Sequence, residues 1–245
     1  MNGSARHSLS RRGALAGGLA GGLALAACGR APVVEPAQVF PRGRFLIVDG
    51  QALRLVDLHI PDADAPFGAE AGTMMERVAR EVDTVEWLGT PSPGRSAPAR
   101  VFGRDGTDLA DALVLGGFAR LWPRGEGDRD LQAAFALEDE ARRRGRGLWA
   151  HGAYAAREPA ADALLQEMDS FQLVRGLVVD DAPVGKWRYL NFGADWRSDF
   201  TVATPRKLLP EESLAGARVE ARGWIESRNG PIIWLEDARA LRVLD

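Results

Sequence analysis

Cysteine and lysine are nearly absent from this chain. Cys28 is the only cysteine, so no internal disulfide framework can form. Lys186 and Lys207 are the only lysines, and arginine carries almost all of the positive charge. Arginine suits bidentate contacts to phosphate and carboxylate, although a GC-rich coding sequence gives the same bias. A large charge of one sign is missing too. Thirty-one basic and 34 acidic residues leave a formal charge of −3, which excludes a global pull on nucleic acid. No long apolar run is present either. The apolar stretch ending at Ala27 is short and rich in glycine, which argues against a spanning helix. What remains is a globular composition, 46% hydrophobic and 27% charged, in 245 residues, enough for two small domains.

The N-terminus reads as a leader. Ser10–Arg11–Arg12 is a twin-arginine pattern, followed by the Gly/Ala/Leu run. Leu25–Ala26–Ala27–Cys28 is similar to a bacterial lipobox, in which cleavage before the cysteine is coupled to its acylation. A plain secretory leader with a chance cysteine is the alternative. The expected boundaries are a signal peptide at 1–27 and a Pro-punctuated tether at 28–38. Removing 1–27 takes Arg6, Arg11 and Arg12 and no acid, moving the formal charge from −3 to −6. Several acyl chains on Cys28 would hold the protein firmly at a membrane, since one chain alone is marginal. Gly29 after the cysteine, rather than Asp, points to the outer membrane.

From Arg44 the pattern is a hairpin, FLIVDGQALRL, turned at Asp49–Gly50. The stretch Arg54–Ala71 continues with period two through Val56, Leu58 and Ile60 until Pro61 stops the ladder. Asp62, Asp64 and Pro66 form a loop, and Phe67–Gly68 opens a helix with Ala71, Met74, Met75, Val78 and Val82 on one side. Strands at 84–88 and near Val101, a helix at LADALVLGG, a strand at 118–122 and the helix LQAAFALEDEARRRGRG complete a region at 39–151. A short helical connector spans 152–170. A second β-rich unit at 171–245 carries strands in FQLVRGLVVDD, KWRYLNFG and DFTVATP, and a last hairpin turned at Asn229–Gly230.

Arg54, Leu55, Leu58 and Pro61, then Phe67, Gly68, Glu70 and Ala71, carry a family resemblance. ALVLGGFARL and RRRGRGLWA extend it. Over about residues 40–151 the chain resembles the thermonuclease (staphylococcal-nuclease-like) family. The resemblance implies an OB-type five-stranded barrel, and a second OB-type barrel is expected at 171–245, giving a mainly β, α+β chain with two barrels in tandem. The family is a calcium-dependent phosphodiesterase. Two carboxylates hold the ion, a glutamate activates water and two arginines clamp phosphate.

By that resemblance Arg54 is the first phosphate clamp and Arg95, in the Pro93–Gly94–Arg95 turn, is the second, with Arg100 as competitor. Asp62 falls at the water-activating glutamate. His59 and Arg44 fall at the two calcium carboxylates, and neither suits a hard cation. The expectation is therefore an exported envelope lipoprotein, facing the periplasm, whose first domain no longer cuts nucleic acid. It needs no resident cofactor and keeps a cationic site at Arg44, Arg54 and His59 for nucleic acid, another anion or a protein. The alternative is an active endonuclease using Ca²⁺, with a shifted metal site built from Asp57, Asp62 and Asp64. A third reading makes Arg54 an ordinary ion pair with Asp57 or Asp62. In the second unit Trp187, Tyr189, Phe192, Trp196 and Phe200 are candidates for stacking bases, though alternation must turn some of them inward. Trp122 and Trp149 are expected in the core.

Overall fold

Strand β1 (Val34–Gln38) runs antiparallel to β2 (Arg44–Val48), which turns through Asp49 and Gly50 into β3 (Gln51–Leu55). Both turn residues have positive φ, 49° and 81°, the requirement of a two-residue hairpin whose twist matches its strands. The computed structural model describes residues 33–38, 44–127 and 129–244, the side chains of residues 35–38 and of Arg44 excepted. The leader, Cys28 and Gly29 lie outside them. Residues 34–38, read from sequence as tether, form the edge strand β1. An edge needs only backbone pairing on one side and tolerates Pro36, so no side-chain periodicity announced it.

Next come the two-residue β4 (Leu58–His59), helix α1 (Gly68–Glu81), β5 (Val82–Trp87) and β6 (Ala97–Gly103). Strand β6 lies parallel to β3 and antiparallel to β5, so the sheet order is β1-β2-β3-β6-β5. Gly68 starts α1 without a Cβ because one would lie 2.0 Å from the Asp62 carbonyl oxygen. Helix α2 (Leu109–Gly116) is capped by the Asp108 side chain, which accepts from the Ala110 N–H. It is followed by β7 (Arg120–Leu121), paired with β4, and by α3 (Leu131–Arg143). Leu46, Leu53, Met75, Val78, Val101, Leu113 and Leu121 are buried in the core these elements enclose.

Helix α4 (Ala161–Leu165) leads to β8 (Phe171–Leu177), β9 (Asp180–Val184), β10 (Trp187–Asn191) and β11 (Thr201–Pro205). The chain closes with β12 (Arg218–Trp224), β13 (Glu226–Ser227), β14 (Pro231–Trp234) and β15 (Leu241–Val243). These pair in two sheets, β13-β14-β11-β10-β9 and β15-β12-β8, around a second core that includes Leu190, Phe200, Val219 and Ile233. FQLVRGLVVDD is thus two strands in two sheets rather than one long strand. The architecture is mixed α+β.

The described residues fall in one compact unit. The two cores are joined by a buried ionic network. Glu138 of α3 accepts from Arg222 of β12 and from the Leu121 N–H, and Arg222 donates to the Leu121 carbonyl and to Glu220. Arg142 and Arg175 also donate to Glu220, at 2.9 and 2.7 Å.

No helix among the described residues is long and apolar enough to cross a membrane.

Candidate functional site

Leu53 and Leu55 are buried, so the pleat of β3 turns Arg54 to the opposite face. Its guanidinium donates through Nη2 to Oε1 of Glu126 at 2.7 Å and through Nη1 to Oε2, a two-point pair. Arg54 is therefore paired with neither Asp57 nor Asp62. The loop after β7 brings a distant carboxylate across, and its two oxygens match the guanidinium fork. Around Arg54 is a cleft of about 360 Å³ lined also by Phe45, Ser96, Trp122, Arg124, Trp224 and Trp234. Arg124 lies over the Trp122 ring and faces Glu236 at 3.4 Å.

Arg95 is exposed on its turn, where Gly94 has φ 74° and Ser96 leads back to the Arg54 cleft. Arg100 is committed elsewhere: it binds the helix-capping Asp108 at 3.1 Å and reaches Glu86 at 3.7 Å.

His59 lies in a different cleft, of about 440 Å³, with Asp62, Asp64, Arg120, Tyr154 and Arg157. Its ring is buried, stacked on Phe171 at 4.4 Å and met edge-on by Trp224 at 5.7 Å. Arg120 Nη2 lies 3.3 Å from His59 Nδ1. A guanidinium can only donate, so Nδ1 accepts and the neutral ring carries its proton on Nε2. Burial, and then the Arg120 charge, hold the imidazole well below its ordinary 6.5. Arg120 also donates to the Phe171 carbonyl at 2.8 Å and lies over the Tyr154 and Phe171 rings. Burial pushes its guanidinium down to about 9, still cationic at neutral pH.

Trp224 lines both clefts, so the C-terminal sheets roof this whole region. The sequence-expected set of Arg54, Asp62 and Arg95 is not gathered in one cleft, and neither is the anion set, since His59 stands apart from Arg54. Arg44 is placed only by its backbone in β2; its side chain lies outside the described residues. Asp57 is fully buried with positive φ. One oxygen accepts from the Arg124 N–H, the other has no partner, and burial raises its carboxyl above the ordinary value. No group of three or more His, Cys, Asp or Glu side chains among the described residues is placed to hold a metal ion, so Asp57, Asp62 and Asp64 are not assembled as one.

The residues that sequence reasoning missed are Glu126, Arg120, Phe171 and Trp224. The first two carry no local signal. Phe171 and Trp224 were legible only as apolar strand positions. Among the named aromatics, Phe192 and Phe200 are core, Trp196 is exposed, and Trp187 and Tyr189 are half-buried. Trp122 and Trp149, expected in the core, are both half-buried, and each carries an arginine over its ring.

Residues 52–151 match the family model described as staphylococcal nuclease homologue. No curated protein matches the chain.

Proposed function

We propose that residues 52–151 serve a nucleic-acid-related role without hydrolysing phosphodiesters, in an exported protein anchored through Cys28. The observation that carries this reading is His59. It falls where the resemblance puts a calcium carboxylate, and it is a neutral imidazole sealed beneath Phe171 and Trp224 against a cationic Arg120. A hard dication needs several anionic oxygens; His59 offers none, and the Asp62 and Asp64 carboxylates of the same cleft are not gathered with a third ligand among the described residues. The implied calcium ion does not fit these residues, and no catalytic step is routed through it. The rearranged-endonuclease alternative asks Arg54, Asp62 and Asp64 to act together from two clefts. The tandem-barrel architecture belongs to the same reading and rests on the two separate cores.

Arg54 remains a phosphate-matching fork, at rest closed by Glu126. An anion entering there competes with that carboxylate. Glu126→Gln is expected to strengthen inorganic pyrophosphate binding about fivefold, the equivalent of about 1 kcal/mol for a partly exposed pair. Isothermal calorimetry reads the change, and Arg54→Ala should remove the binding.

Plasmid digestion with Ca²⁺, Mg²⁺ and Mn²⁺ tests the central statement. Wild type and Arg54→Ala are both expected to cut no faster than buffer. Metal-dependent cutting that Arg54→Ala abolishes would falsify the reading. Anchoring is checked by palmitate labelling in cells, expected for wild type and absent in Cys28→Ser.

A further inference from the structure

A cleft of about 1060 Å³ opens in the C-terminal sheet, and Arg54 is not among the residues that line it. It gathers both lysines of the chain, Lys186 and Lys207, with Arg206. Lys186 follows the turn at Gly185, and the Arg206 N–H donates to its carbonyl at 2.9 Å, which ties the two basic segments together. All three side chains are exposed, and among the described residues none of them has a carboxylate in ion-pair range. The cleft's fourth cation, Arg188, is used internally. It is buried on Asp181 and also donates to the carbonyls of Pro210 and Glu212. Glu211 also lines the cleft, but the three exposed cations outnumber it, a local concentration of positive charge in a chain with an excess of acid.

Aromatic rings adjoin it. The pleat of β10 buries Arg188 and Leu190 and turns Trp187 and Tyr189 outward. Tyr189 faces Ala203 across the sheet, and Ala203 faces Trp234, so these side chains share one face. Trp187 lines the cationic cleft, and its ring meets Trp234 edge-on at 5.1 Å. Lys186 and Arg228 lie 5.8 and 5.6 Å from the Trp187 and Trp234 ring centres.

We propose that this face binds single-stranded nucleic acid, with Lys186, Arg206 and Lys207 on the phosphates and Trp187 and Trp234 stacked against bases. Rings beside a basic groove are what an unpaired strand needs, because each base offers a flat face once it is out of a duplex. A lipid headgroup would use the cations and leave the half-buried rings without a role. The proposed face uses none of the cations around Arg54, although Trp234 also lines the Arg54 cleft, and it does not depend on whether residues 52–151 cut.

The test is fluorescence anisotropy of a fluorescein-labelled oligothymidylate with the full chain, followed in parallel by tryptophan quenching. Binding is expected to weaken with salt. Lys186→Gln with Lys207→Gln should lower affinity at least tenfold at low salt and make the log–log salt slope shallower by about 1.4, two phosphate contacts on a single strand. Both lysines are exposed, so folding is not at stake. Trp187→Ala should weaken binding about tenfold with the slope unchanged, and Trp187→Phe should keep most of it. Arg77→Ala, on an exposed helix pair, should leave it intact. The proposal is overturned by no oligonucleotide binding. It is also overturned by binding that ignores the lysine pair. Lysine-dependent binding to phosphatidylglycerol vesicles without binding to oligonucleotide would overturn it as well.

Discussion

Arg222→Ala is expected to lower the stability of the folded chain by about 3–5 kcal/mol, because it strands buried carboxylates that Arg222 now neutralises. Arg222 and Glu138 are both fully buried, with Arg222 Nη1 at 3.1 and 2.9 Å from the two Glu138 oxygens. The same guanidinium binds the Leu121 carbonyl at 2.9 Å and reaches Glu220. Burial pushes the Glu220 carboxyl up, but Arg222, Arg142 and Arg175 more than offset it and hold the group at about 2. Urea unfolding measures the loss. The exposed i,i+4 pair Arg77–Glu81 is the control, and Arg77→Ala should cost under about 0.5 kcal/mol. Arg222→Met combined with Glu138→Leu should recover much of the loss, since an apolar pair leaves less buried charge unmatched. The network joins α3 to β12, so wild type should unfold in one transition. Two separate transitions would contradict the joined cores.

Stability is expected to fall as pH drops below about 6.5, by up to roughly 1.4 kcal/mol per unit, through His59. The folded imidazole has a lowered value, so between that value and 6.5 the unfolded chain binds the extra proton. Acid therefore favours unfolding. Protonation would also put a second cation beside Arg120, in a cleft that contains Arg157, Asp62, Asp64 and Glu167. The raised Asp57 carboxyl acts with the opposite sign. Its contribution is present below 3.8 and lost as pH rises through the raised folded value, so it opposes the His59 trend between those two points. Thermal unfolding at pH 7.5, 6.5 and 5.5 reads the slope as a falling midpoint. His59→Phe keeps a ring against Phe171 and should flatten it. A midpoint unchanged in wild type would place His59 in water rather than beneath the C-terminal sheets.

Local chemistry made much of this fold legible. The turns at Asp49–Gly50 and Asn229–Gly230 have positive φ at both residues, as their identities imply. Asp108 caps α2 and Gly117 ends it at φ 72°. Gly117 and Gly147 also meet backbone to backbone, where a Cβ on either would fall about 2.2–2.3 Å from the other segment's carbonyl oxygen. That contact places two motif glycines, far apart in sequence, at one joint.

The site was less legible, because it is made by residues whose partners lie across the fold. Arg54 was singled out by its place in a strand, yet its partner Glu126 lies 72 positions away in a loop with no periodicity. By resemblance His59 falls at a calcium carboxylate position. Nothing in the surrounding stretch could announce a Phe171 ring stacked on it from another sheet. Trp224 falls in a hairpin that reads as a plain pair of strands, but β12 pairs with β8 and β15, and this pairing carries Trp224 over both clefts. Alternation did separate Trp187 and Tyr189 from the buried Arg188 and Leu190. It could not bring Trp234 against Trp187, since that requires β11 between them.

Calorimetric titration of Ca²⁺ into the full chain bears most directly on the roofed histidine. The account predicts no saturable heat, and none in His59→Asp either, since that carboxylate would face Arg120 beneath Phe171. Stoichiometric calcium binding by wild type, lost in Asp62→Asn, would contradict it.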